Sequence, residues 1–108
     1  SAQAQSIIGS MYNEGLGVPK NDAEAVKWHS KAAEQGHATV QKNLAVMYGT
    51  GEGVPEDYIK AHIWASIAKV QGAKRAVELL DIIKKQMNTD QIAKAQELAT
   101  EMWEKIGN

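Results

Sequence analysis

Residues 4–19 read AQSIIGSMYNEGLGVP, and residues 40–55 read VQKNLAVMYGTGEGVP, so the same order of Met, Tyr, Gly and Pro returns after 36 positions. When residues 2–37 are placed over residues 38–73 without a gap, 14 of the 36 pairs are identical. Many of these identities fall on Gly, Pro, Trp and Ala, whose steric roles are strict. Such a period indicates stacked copies of one supersecondary unit.

Each unit is predicted to begin with an amphipathic helix. In the first unit, Ala4, Ile8 and Tyr12 recur at i, i+4 and i+8, which places them on one helical face. The segment 14–19 then ends the helix, because Gly suits a left-handed C-terminal position and Pro cannot continue the hydrogen-bond ladder. Segment 50–55 is expected to do the same in the second unit.

A second helix is predicted to follow each loop. Asn21 or Asp22 in the first unit, and Asp57 in the second, are suitable N-caps. Small and large apolar side chains alternate on the face expected to be buried, so neighbouring helices can approach closely beside each Trp. These residues are Ala25, Trp28 and Ala32, matched by Ala61, Trp64 and Ala68.

The third unit keeps only the first-helix pattern, through Ala76 and Leu80. Its last helix, over about 90–105, is charged on one side, as expected of a helix that seals the end of a solenoid. We therefore predict an all-α solenoid of three antiparallel helical hairpins. It forms one domain over 1–108, divided into repeats 2–37 and 38–73 and a degenerate repeat with cap at 74–108. We also expect the C-terminal end to be natural and a preceding repeat to be missing before Ala2.

Two surfaces are candidates for self-association. The second helix of unit two carries Ile59, Ile63 and Ile67, which makes it apolar nearly all round. We expect the final helix or the preceding hairpin to cover this row, with a homo-oligomer interface as the alternative. The other candidate is the first helix, which starts without an evident cap or an upstream neighbour.

The pattern resembles the Sel1-like repeat, a relative of the tetratricopeptide repeat. The resemblance rests on the run from Ala4 to Pro19 together with Asp22, Ala25, Trp28, Lys31 to Ala33 and Gly36, and on the matching stretch 40–72. Residues 85–95 also resemble the terminal cap common in bacterial members. The resemblance implies a non-catalytic adaptor that holds protein complexes together.

Stacked hairpins curve and present their first helices on the concave side. Opposite the core stripe, these helices offer polar side chains mixed with isolated apolar ones, in three rows that repeat every 36 residues. Such rows suit a peptide or a partner helix. The predicted partner-binding residues are Gln3, Ser6, Ile7, Ser10, Thr39, Lys42, Asn43, Val46, Arg75, Glu78, Leu79 and Ile82.

Composition and motifs argue against several other functions. The chain has no Cys, and His29, His37 and His62 share no metal-binding spacing, so we expect no metal and no cofactor and place these histidines at the surface or rim. A net charge of -1 without a basic stripe argues against nucleic-acid binding. No apolar run approaches the roughly 18 residues of a membrane span. A cytoplasmic and an exported or periplasmic location both stay open.

Two alternative functions follow from other features. Ser66 and Lys69 have the Ser-x-x-Lys spacing of penicillin-interacting enzymes, and some members of the resembled family have been described as penicillin-binding or weakly hydrolytic. The accompanying Ser-Asp-Asn and Lys-Thr-Gly motifs are missing from this chain. The other alternative is a structural spacer from a longer repeat array.

Overall fold

The computed structural model describes residues 1–107, which form helices joined by loops and contain no strand. This confirms the all-helical prediction. Asn108, the last residue of the predicted third unit, lies outside the described residues. In chain order the helices are α1 (Ala2–Glu14), α2 (Asp22–Glu34), α3 (Ala38–Thr50), α4 (Tyr58–Val70), α5 (Ala76–Lys84) and α6 (Thr89–Ile106).

The two Gly-Pro loops close in the same way. Gly15 and Gly51 adopt left-handed conformations, with φ of 72° and 76°, directly after α1 and α3. Each loop then returns to its own helix, because the Asn21 N–H donates to the Tyr12 carbonyl at 2.9 Å and the Asp57 N–H donates to the Tyr48 carbonyl at 2.8 Å. The identical closure explains why these positions recur at a spacing of 36 residues.

Side-chain caps begin the described helices other than α5. Asn21 and Asp57 accept backbone N–H groups of α2 and α4, each at 3.1 Å, as predicted. Ser1 caps α1 by accepting the Ala4 N–H at 3.2 Å, so the prediction of an uncapped first helix is wrong. At the other end, Asn88 and Gln91 form a reciprocal capping box that starts α6.

The helices stack as pairs around a core of small residues. Helix α1 packs on α2, α3 on α4, and α2 on α3, which joins the first two units. The alanine stripe of α2 and α4 is completely buried, as predicted, and Trp64 is buried beside it. Trp28, also predicted to be core, is only half-buried, with the Lys31 ammonium 4.3 Å above its ring.

The third helix pair is arranged differently from the first two. Helix α4 packs against both α5 and α6, and the main neighbour of α6 is α4 rather than α5. Ile63 and Ile67 are consequently buried within the chain, and Ile67 lies beside Ala99 and Trp103 of α6. The expectation that the final helix covers the row is confirmed. Ile63 and Ile67 therefore offer little surface to a second copy, and the alternative of a homo-oligomer interface at this row stays a prediction.

The outer face of α1 is not covered by any helix of residues 1–107. Ala4 is exposed and Ile8 half-buried, whereas the equivalent residues Val40 and Leu44 of α3 are buried against α2. The prediction that Ala4 belongs to the core is therefore wrong. None of the helices over residues 1–107 is both long and apolar enough to cross a membrane.

Two histidines lie in the core, which corrects their predicted surface position. His29 packs against Gly9, where a Cβ would lie 2.9 Å from the ring, so only Gly leaves room for it. The equivalent pair in unit two is Ala65 and Ala45. His62 is also buried, and its Nδ1 is 3.1 Å from the Ser66 hydroxyl.

Burial lowers the pKa of both core histidines. For His62, the positive charge of Lys84 lowers the pKa further, while a backbone hydrogen bond opposes the shift. His29 Nδ1 and His62 Nε2 have no hydrogen-bond partner. Both rings are therefore neutral at pH 7 in the folded chain.

Stability is expected to decrease as the pH falls below the histidine pKa of the unfolded chain, about 6.5. In the interval between that value and the lower folded pKa, only the unfolded chain binds the protons. Urea unfolding at pH 7.5, 6.5 and 5.5 measures the slope. The double variant Gly9→Ala with His29→Ala, which copies the pair of unit two, should show a smaller loss of unfolding free energy. An unchanged pH dependence in that variant would contradict the role of His29.

Gly53 marks a close approach between the two units. A Cβ at this position would lie 2.5 Å from the carbonyl oxygen of Asp22 at the start of α2. The equivalent Gly17 has the same φ of 79°, but a Cβ there would meet only the end of Met11 at 3.7 Å. The two glycines thus share a backbone conformation and differ in their neighbours.

This pair gives a matched test of the contact between units. Gly17→Ala should cost about 1 kcal/mol for the left-handed conformation alone. Gly53→Ala should cost about 1–3 kcal/mol more, because the methyl group overlaps the backbone of α2. Thermal and urea unfolding of both variants measure the difference. Equal losses would show that the approach of the α3–α4 loop to α2 contributes nothing to stability.

Candidate functional site

A groove with mostly apolar walls lies between α3 and α5. We call it the apolar groove, and its cavity volume is about 310 Å³. Val46 and Ile82 line it and are 41% and 60% exposed, while Ala45 is fully buried. The hydroxyl of Thr50 donates to the Val46 carbonyl at 2.9 Å, so it is already engaged within its own helix. The full lining is Ala45, Val46, Gly49, Thr50, Tyr58, Leu79, Ile82, Ile83 and Gln86.

A second groove, between α1 and α3, is lined mainly by polar side chains. We call it the polar groove, and its cavity volume is about 260 Å³. It receives one residue from the α3–α4 loop, Glu52, and one from α2, His29. Its lining is Ser10, Asn13, Glu14, His29, Asn43, Val46, Met47 and Glu52.

The two grooves are the same site in successive units. Moving back by 36 residues from the lining of the apolar groove gives six residues of the polar groove, which are Ser10, Asn13, Glu14, Asn43, Val46 and Met47. Val46 belongs to both linings, so it separates the two grooves. The face of α1, α3 and α5 therefore carries one geometry twice, with different chemistry each time.

Carboxylates give the polar groove a negative charge. In the amide orientation that satisfies its neighbours, Asn13 donates to Glu52 at 3.0 Å and to Asp22 at 3.2 Å. Lys20 forms an ion pair with Asp22, with 2.6 Å between Nζ and Oδ1. Within residues 1–107, neither Glu14 nor Glu52 forms an ion pair. The neutral ring of His29 does not offset their charge.

The structure brings some of the twelve predicted binding residues together and leaves others apart. None of the twelve is buried. Those that line a groove are Ser10, Asn43, Val46, Leu79 and Ile82. Those outside both grooves lie nearer the N-terminal ends of the same helices, and they are Gln3, Ser6, Ile7, Thr39, Lys42, Arg75 and Glu78.

Other groove residues were missed by the sequence prediction. Asn13, Glu14, Gly49 and Thr50 lie one turn beyond the predicted rows on α1 and α3, and Gln86 follows the end of α5. Extending the 36-residue rows by one turn would have found them. The loop residue Glu52 carries no such signal, because its place in the polar groove depends on how the α3–α4 loop packs.

The Ser-x-x-Lys pair is not assembled as a catalytic pair. The Ser66 hydroxyl lies 3.1 Å from His62 Nδ1, and no hydrogen bond joins it to Lys69 among the described residues. Lys69 is exposed to solvent. In the same part of the chain, no three His, Asp or Glu side chains form a group that could hold a metal ion.

Two solved structures similar to this chain come from longer proteins. A protective antigen of uropathogenic Escherichia coli with an SLR fold has a TM-score of 0.93 and 32% identity, over 98% of this chain and 23% of the antigen. A Sel1 repeat protein from Oxalobacter formigenes has a TM-score of 0.75 and 32% identity, over 94% of this chain and 44% of that protein. The chain thus spans less than half of either bacterial neighbour.

Sequence comparison gives the family directly. The model of the Sel1 repeat matches residues 2–37 and 38–72. A comparison with curated protein sequences found no significant match. Members with these repeats commonly mediate protein–protein interactions and are generally non-catalytic scaffolds. Because the repeat model covers both units and the solved neighbours share the fold, the chain belongs to the Sel1 repeat family.

Proposed function

We propose that this chain is a non-catalytic protein-interaction module that binds a peptide or a segment of a partner protein on the face of α1, α3 and α5. The observation that carries the proposal is the apolar groove, which exposes Val46 and Ile82 on a face otherwise rich in polar groups. Exposed apolar residues grouped in a concave site are typical of binding surfaces.

An anchor side chain in the apolar groove contributes part of the free energy of binding. Burying one Leu-sized or Phe-sized side chain of a partner contributes about 1.5–3 kcal/mol. Ala45 and Gly49 line the groove, and their small size leaves room for such an anchor. The partner would also cover Val46 and Ile82, which adds their apolar area to the gain.

Another cavity, between α4 and α6, supports the proposal less well. It has a volume of about 260 Å³ and includes Ile67, Val70 and Trp103. Its lining shares no residue with either groove, whereas the apolar groove continues past Val46 into the polar groove. A partner on the face of α1, α3 and α5 can therefore contact two neighbouring sites at once, which favours an extended binding segment.

The proposal predicts which substitutions abolish binding. A phage-displayed random peptide library, selected on the immobilised chain, should yield peptides with a measurable Kd by fluorescence anisotropy. Ile82→Glu should weaken them at least about tenfold, since it places a charge in the apolar groove and removes about 1.4 kcal/mol or more of binding free energy. Ile82 is exposed, so the thermal midpoint of the free chain should change little.

The matched control is Val77→Glu on the same helix. Val77 is 48% exposed but lies outside both grooves. It should leave the peptide Kd unchanged. If Val77→Glu weakens binding and Ile82→Glu does not, the proposed face is the wrong one.

A further inference from the structure

We propose that the partner segment pairs one apolar side chain, seated in the apolar groove, with one Lys or Arg side chain, seated in the polar groove. This inference rests on the proposed function and deepens it. The two anchors occupy neighbouring sites, because the two grooves are the same site moved by one unit and Val46 lines both.

The linings of the two grooves differ at equivalent positions. Val46, Gly49 and Leu79 of the apolar groove correspond to Ser10, Asn13 and Asn43 of the polar groove. These replacements put hydrogen-bonding groups in the polar groove at positions where the apolar groove has apolar surface or open space. A single partner side chain therefore does not suit both grooves, and a segment with two different anchors does.

The charges in the polar groove select a cation. Glu14 and Glu52 have no ion pair within residues 1–107, and Asn13 already donates its amide hydrogens to Glu52 and Asp22. The carboxylate oxygens thus have free capacity to accept hydrogen bonds from an ammonium or guanidinium group. An acidic segment or a phosphate would instead meet two uncompensated negative charges.

His29 makes the polar groove more than a cluster of acidic side chains. It is 3% exposed, lines the groove, and its Nδ1 has no hydrogen-bond partner. Because burial lowers the pKa of His29, the ring stays neutral and does not repel a cation. Two basic residues near this face do not neutralise the carboxylates of the polar groove. Lys20 pairs with Asp22, and Lys42 lies outside both grooves.

The test selects the same phage-displayed random peptide library on three forms of the chain. The native chain should enrich peptides that pair an apolar residue with Lys or Arg. The variant Glu14→Lys with Glu52→Lys should enrich Asp or Glu in place of the basic residue and keep the apolar one. The control variant Glu97→Lys with Glu101→Lys has the same net charge but changes two exposed residues of α6, so it should select the native motif.

Affinity measurements show how much the carboxylates of the polar groove contribute to peptide binding. A native-selected peptide should bind the Glu14→Lys, Glu52→Lys variant about tenfold more weakly, and the α6 control variant with unchanged Kd. The milder variant Glu14→Gln with Glu52→Gln keeps the side-chain shapes and should weaken binding about fivefold, near the upper range for an exposed ion pair. Added salt should weaken binding to the native chain and have little effect on the Gln variant.

The outcomes separate this inference from the proposed function. Enriched peptides that lose binding to Ile82→Glu but show no preference for Lys or Arg would overturn the inference and leave the proposed function standing. A native chain that enriches no peptide above an empty matrix would overturn both. A preference for Lys or Arg that persists in the Glu14→Lys, Glu52→Lys variant would place the cation elsewhere and would also overturn the inference.

Discussion

The packing of α3 on α2 is the contact on which the remaining structure depends. The fully buried Gln41 donates from its side chain to the Ala33 carbonyl at 3.0 Å, and Gly53 lets the following loop approach Asp22. A similar hydrogen bond lies at the end of the second unit, where the Gln71 side chain donates to the Gly36 carbonyl of the first unit at 2.6 Å. Together these contacts fix the second unit against the first and so set the position of α3 relative to α1 and α2.

The same packing produces the grooves. Because the two units share their loops, caps and alanine stripes, the space between successive first helices recurs in the same place. The exposed side chains that line the space are not part of the buried core, so they are free to differ. The repeat thus supplies a constant geometry, and residues such as Ser10 and Val46, or Asn13 and Gly49, determine what each copy can bind.

The first unit shows a further effect of stacking. There, Gln5 and Gln35, the equivalents of Gln41 and Gln71, hydrogen-bond to each other.

The sequence predicted the first four helices well because their ends depend on local chemistry. Gly15 and Gly51 need left-handed backbone, and Asn21 and Asp57 cap the next helices, so each signal acts within a few residues. The placement of α6 on α4 was harder to specify, because the third unit lacks the glycine loop. Only the apolar row with Ile63 and Ile67 pointed to a covering helix.

The sequence indicated the face on which the two grooves lie but not their full linings. The 36-residue rows lie on the face of α1, α3 and α5 that carries both grooves, yet they could not show that the grooves open one turn further along each helix. The buried histidines were missed because His29 depends on Gly9, a residue in another helix. Pair contacts of this kind are set by tertiary packing and leave no periodic signal.

The most direct test of the account is a methyl NMR titration of the chain with a peptide selected on it. The account predicts that chemical shifts change for the methyl groups of Val46, Leu79 and Ile82, which line the apolar groove, and remain constant for Ile67 and Val70 between α4 and α6. Shift changes confined to Ile67 and Val70 would contradict the central claim, because they would place the binding surface on the opposite pair of helices.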